Sequence, residues 1–228
     1  MIIVDSKKSI IENKNFLKRF EEIYNKAFPD EMEREEFSDI LIRVKYDDFP
    51  KTIITLEVQE NTLIGGQVVD IYHNQVYHLI YLVIDDQFRG RGIAKTLITS
   101  RLSKLVKYYG SPCQGIFVES NIPNLTENDS FDPTIRLKIF DKLGMKLIPI
   151  SYIQPPLNPK KDFVSNLYLL YYPISDVQLK TNEVIYFLNS LYLGLNQPID
   201  SIYLKQMRSK LLTFGDNIKL ESIPQTFT

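Results

Sequence analysis

The stretch HLIYLVIDDQFRGRGIAK, residues 78–95, decides how this chain is read. It belongs to an apolar run, VYHLIYLVI (76–84), that is hydrophobic on both faces and predicts a central strand. Asp85 and Asp86 end the run, and Gly90 and Gly92 follow. Beyond Gly92 the apolar positions Ala94, Leu97, Ile98, Leu102, Leu105 and Val106 recur at helical spacing. They predict a helix to about Tyr109, stopped by Gly110-Ser111-Pro112. A glycine-rich turn between a strand and a helix leaves main-chain N–H groups pointing outward at the positive end of the helix dipole. That arrangement suits a pyrophosphate. Arg89, Arg91 and Lys95 can add positive charge. A turn that merely joins a strand to a helix has the same composition. Neither GxxxxGK[ST] nor GxGxxG is present.

Working outward, TIITLEVQ (52–59) and LIGGQVVDIY (63–72) read as strands joined at Glu60-Asn61. Gly65-Gly66 marks a bulge or a close backbone approach. His73-Asn74 reads as a hairpin turn into residues 76–84. Before them, NFLKRFEEIYNKA (15–27) places Phe16, Leu17, Phe20, Ile23 and Tyr24 on one helical face, and Phe28-Pro29 stops it. A short helix is expected over Glu31–Phe37, with its acidic run on a solvated face. On the other side, GIFVES (115–120) is a buried strand, expected to pair in parallel with 76–84 through a right-handed crossover. PTIRLKIFDKLGMK (133–146) is a helix closed by Gly144. LIPISYI (147–153) and FVSNLYLLYYPI (163–174) read as two more strands, and the tail carries helices near 182–193 and 200–212.

The 228 residues are 44% hydrophobic with a formal net charge of −1, a soluble globular composition with no basic excess for nucleic acid. One cysteine, Cys113, excludes an intramolecular disulfide, and two histidines with one cysteine argue against a zinc site. Neither a signal peptide nor a membrane-spanning run is read, so a cytoplasmic location is expected.

Arg89-Gly90-Arg91-Gly92-Ile93-Ala94 resembles the R/Q-x-x-G-x-G/A signature of the GNAT superfamily of acetyl-CoA-dependent N-acetyltransferases. IRLKIFDKLGMK (135–146) is similar to that family's second landmark, and SYIQPPL (151–157) resembles a segment of stand-alone bacterial members. The resemblance covers about residues 1–175. It implies an α/β fold with a mixed central sheet of about six to seven strands flanked by helices. A GNAT domain at 1–175 and a C-terminal helical extension at 176–228, packed on that domain, are expected. The resemblance implies that Arg89, Gly90, Arg91, Gly92, Ile93 and Ala94 hold the coenzyme A pyrophosphate by main-chain amides. Leu82, Val83 and Ile84 would pair with the pantetheine like an added strand. The acyl thioester would lie where this strand splays from the next, its carbonyl polarised by a main-chain amide. Asn121 resembles an asparagine that touches the cofactor arm. Acetyl-CoA is thus the expected co-substrate, with no metal.

Amine acylation needs a base, and a general acid can serve the leaving thiolate. The position of the usual acidic tyrosine is Phe140, which cannot donate a proton. For the base, His78 is the first candidate and Glu119 the second, with Glu57 weaker. A hydrogen-bonded sheet histidine and a solvated rim carboxylate are the plainer readings. Tyr81 is expected on the sheet face opposite His78. Tyr152 is expected chiefly to pack, and Arg136 to pair with Asp132. The expected function is acetyl transfer to a primary amine by direct attack in a ternary complex. The alternative is a non-catalytic acyl-CoA-binding sensor or interaction module of the same fold. Expected partners are a small-molecule or peptide amine acceptor and a second copy in a homodimer, with no nucleic acid and no membrane.

Overall fold

The computed structural model describes residues 1–31, 34–46, 49–73, 76–109, 114–125 and 130–224. The expected turn residue Asn74, the helix stop at Gly110-Ser111-Pro112 and Cys113 lie outside these. The chain forms two compact units, residues 1–71 with 77–113, and residues 72–76 with 114–228. Among the described residues there are seven strands, and no helix is long and apolar enough to cross a membrane.

The first unit contains β1 (Ile2–Val4), α1 (Lys7–Glu12), α2 (Lys14–Ala27), α3 (Phe37–Tyr46), β2 (Lys51–Gln59), β3 (Thr62–Tyr72) and β4 (Val76–Ile84). The strands lie in the order β1-β2-β3-β4, and β2 pairs antiparallel with both β1 and β3. Glu60 and Asn61 both adopt positive φ, 48° and 61°, which matches the right-handed twist of a tight hairpin. As the spacing predicts, α2 buries Leu17, Phe20, Ile23 and Tyr24 against Ile54, Leu56 and Val68 of the sheet. Each such side chain contributes roughly 1.5–3 kcal/mol. The two adjacent glycines answer to close approach. A Cβ on Gly66 would sit 2.8 Å from the Phe20 ring, and one on Gly65 would sit 2.7 Å from the Val83 carbonyl oxygen.

Of the helix expected over Glu31–Phe37, residues 34–36 are not helical and residues 32 and 33 lie outside the described ones; α3 starts at Phe37, where that helix was to end. Phe37, Ile40 and Val44 supply its buried face. The preceding backbone is taken by tyrosines: Glu35 N–H donates to Tyr81 Oη at 3.0 Å, and Tyr24 Oη donates to the Glu35 carbonyl at 2.9 Å. Glu35 is therefore buried rather than solvated.

After β4 come a 3₁₀ turn (Asp86–Phe88), α4 (Ile93–Lys95), a π-helical stretch (Thr96–Leu102) and α5 (Ser103–Tyr108). Of the apolar positions expected on this helix, Leu97, Ile98, Leu102, Leu105 and Val106 are buried and Ala94 is half-buried.

The second unit contains β5 (Gly115–Asn121), α6 (Pro133–Lys142), β6 (Lys146–Leu147), β7 (Leu167–Pro173), α7 (Thr181–Gly194) and α8 (Ile202–Leu212). Its strand order is β5-β7-β6, and β5 pairs antiparallel with β7 along its whole length. Gly115 faces the Tyr171 ring so closely that any Cβ would overlap it. Asp132 caps α6 by accepting from Thr134 N–H at 2.7 Å, and Gly144, at φ 91°, closes it. Asp132 is thus the helix cap, and Arg136 donates to the Phe131 carbonyl at 2.9 Å instead of forming the expected ion pair.

The strand expected at 147–153 shrinks to β6. Pro149 has no N–H for a ladder, and Ile150 N–H turns back to the Ile148 carbonyl at 2.8 Å. The tail joins this unit closely. Phe187 of α7 stacks on Phe117 of β5 with ring centroids 4.1 Å apart. Leu147 and Glu221 exchange main-chain hydrogen bonds of 2.8 and 2.9 Å, and an isolated bridge links Lys180 with Asn217.

Candidate active site

In the first unit the chain leaves β4 through a clamped turn. Asp85 is 6% exposed, accepts from Gln87 N–H at 3.1 Å and pairs with Arg19 of α2 at 2.5 Å. Asp86 pairs with Lys26 of α2 and with Arg89 at 2.8 Å. The Lys26 ammonium, with Arg89 beside it, holds the Asp86 carboxyl below its ordinary range. Arg91 lies over the Phe88 ring, 5.1 Å from its centroid. Arg89 and Arg91 are therefore engaged within the loop.

Gly90 and Gly92 both have φ 76°, and a Cβ at either would meet no atom within 4 Å. Backbone conformation alone calls for glycine at these two positions. Gly92 is the N-cap of α4 and has no side chain to cap it, while its carbonyl accepts from Thr96 N–H at 3.0 Å. Ile93 and Ala94 form the first turn. On β4, Val83 is buried in the core, and Leu82 and Ile84 are half-buried. A cleft of about 720 Å³ opens beside this turn, bordered by Lys14, Phe16 and Arg19 of α2, by Asn61 and by Asp85 and Phe88.

His78 is 2% exposed and adjoins a buried ionic cluster that the sequence reading did not anticipate. Arg43 of α3 grips Glu35 through two bonds of 2.5 and 3.1 Å and donates to Thr52 at 2.9 Å. Thr52 donates to Asp70 at 2.6 Å. Although burial works against its charge, Glu35 and Asp70 hold the Arg43 guanidinium above its ordinary range. Burial pushes the Asp70 carboxyl up to about 6, against the opposing pull of Arg43 and His78. Tyr81 meets the same cluster through Glu35. Tyr77, Leu79, Tyr81 and Val83 are buried at alternate positions of β4. Glu57 is held by Arg101 through bonds of 2.8 and 2.6 Å, as a structural pair.

In the second unit, Glu119 and Asn121 stand two residues apart on β5, hence on one face. Glu119 is half-buried and held by two neutral donors: Tyr152 Oη to Oε1, and Gln154 Nε2 to Oε2 at 2.9 Å. Tyr152 is 2% exposed; burial, with the Glu119 carboxylate beside it, pushes its phenol well above the ordinary range, so it stays a donor. Packing was its expected role, and the bond to Glu119 was not foreseen. Phe140 is 5% exposed and sits inside α6.

Similarity to known proteins accords with this arrangement. A protein of Bacteroides thetaiotaomicron assigned to the GNAT family has a structure similar to this one, with a TM-score of 0.59 and 17% identity, over 85% of this chain and 99% of that one. The aminoglycoside 6'-N-acetyltransferase complexed with coenzyme A gives 0.52 and 17%, over 78% and 99% of the two chains. The aminoglycoside 6'-N-acetyltransferase of Enterococcus faecium gives 0.52 and 16%, over the same shares. The fold is thus the GNAT fold, in the α/β class. Residues 15–125 match the model of the acetyltransferase (GNAT) family. No curated protein matches the sequence.

Proposed function

We propose that this protein transfers an acetyl group from acetyl-CoA to a primary amine of a small-molecule or peptide acceptor by direct attack in a ternary complex. The observation that carries the reading is the loop Arg89–Ala94, with two left-handed glycines and an uncapped helix start directly after a strand. Its main-chain amides bind the pyrophosphate, and the backbone of Leu82, Val83 and Ile84 pairs with the pantetheine. Asn121 contacts the cofactor arm.

The amine nitrogen attacks the thioester carbonyl carbon, the C–S bond breaks, and coenzyme A leaves as the thiolate. The amine loses one proton, which we assign to Glu119. Of the first two bases named from sequence, Glu119 is half-buried and hydrogen-bonded at both oxygens, whereas His78 is enclosed beside Asp70. Calorimetry with acetyl-CoA tests the loop. Wild type binds in the micromolar range typical of enzyme substrates, and Gly92→Ala, forced into an unfavourable φ, binds about tenfold more weakly. Failure of the folded wild type to bind at millimolar acetyl-CoA sinks the reading.

The buried Phe140 favours a second reading, a non-catalytic acyl-CoA-binding module. Thiol release from acetyl-CoA with an amine, above the rate in buffer, decides against it.

A further inference from the structure

The segment that holds Glu119 is itself held by the two C-terminal helices. Met207 of α8 accepts Ile153 N–H at 3.4 Å, and Tyr192 of α7 donates to the Ile153 carbonyl at 3.2 Å. Gln154 exchanges main-chain bonds of 2.8 and 3.0 Å with Val164. The side chains on either side of Ile153, Tyr152 and Gln154, both reach Glu119. Fixing the Ile153 peptide groups therefore fixes both donors. A donor on each oxygen sets the plane of a carboxylate.

We propose that Tyr152 and Gln154 are positioning residues that orient the Glu119 carboxylate toward the proton of the attacking amine, and that α7 and α8 serve catalysis by fixing Ile153. This inference rests on the reading of Glu119 as proton acceptor. It gives the C-terminal helices a task beyond covering a core: they act on the reaction through one dipeptide unit without touching substrate.

A double-mutant cycle on the full chain tests it, following thiol release from acetyl-CoA with spermidine, kanamycin and an alanine-initiated peptide. Glu119→Gln is expected to lower kcat about 100-fold, and Tyr152→Phe about 10-fold with the KM for acetyl-CoA unchanged. In the double variant the loss equals that of Glu119→Gln alone, because Tyr152 acts only through Glu119. Multiplied losses, or full kcat in Tyr152→Phe, overturn the positioning role while leaving Glu119 in place. Full kcat in Glu119→Gln instead removes Glu119 as the proton acceptor, and the positioning role with it. Gln154→Leu repeats the cycle should Tyr152→Phe fail to fold.

Discussion

Each unit contains a buried or half-buried carboxylate cluster, and the two are built on opposite plans. In the first, Arg43 pairs bidentately with Glu35 and lies 4.0 Å from the Asp70 carboxylate. In the second, Glu119 accepts from the neutral donors Tyr152 and Gln154. Removing a member of the first leaves a buried ion without its partner, which is a cost in stability. Removing a member of the second is expected, on the proposed role of Glu119, to change the aim of a carboxylate and so to cost rate.

The contrast is sharpest at Arg43. Arg43→Ala strands two buried carboxylates and is expected to lose about 3–5 kcal/mol of unfolding free energy in urea titrations. Glu119→Gln is expected to stay within about 1 kcal/mol of wild type in the same titration. Equal losses from the two would erase the distinction.

Asp70 gives the next effect. A carboxyl raised from 3.8 to about 6 in the folded state binds its proton more tightly there than in the unfolded chain. The contribution to stability is present below about pH 4 and is lost as pH rises to about 6, by roughly 3 kcal/mol. The isosteric Asp70→Asn should flatten that segment of the stability–pH curve; a curve superimposable on wild type would refute the assignment.

The smallest effect is that of Tyr192→Phe. It deletes one neutral hydrogen bond to Ile153, worth about 0.5–1.5 kcal/mol, and should lower kcat about two- to threefold, the lower end of that range, with binding of acetyl-CoA intact. An unchanged kcat would confine α7 to packing.

What was legible in the sequence follows from distance along the chain. The loop after β4 is local: glycines two residues apart between a strand pattern and a helix pattern can be read directly, and both prove left-handed. The buried face of α2 and the cap at Gly144 are equally local. α3 was legible too, in the spacing of Phe37, Ile40 and Val44, but the acidic run before it drew the helix too early. Pro149 was in view and marked where the sixth strand ends. The polar clusters were not legible, since Glu119 and Tyr152 are 33 positions apart and Arg19 and Asp85 are 66 apart. No periodicity pairs such residues; only the packed fold does. Nor does any spacing announce the π-helical stretch, whose hydrogen bonds are a choice of backbone rather than of side-chain pattern.

The bridges from Leu147 to Glu221 and from Lys180 to Asn217 also bear on how the chain is made. On the ribosome, every residue of the first unit has been synthesised by position 113, whereas the second waits for positions 217 and 221. Until then Leu147 presents an unpaired edge, a template on which a neighbouring nascent chain can add a strand. A polypeptide halted before Asn217 thus carries its main aggregation hazard in the second unit, at a residue some 70 positions upstream of the halt.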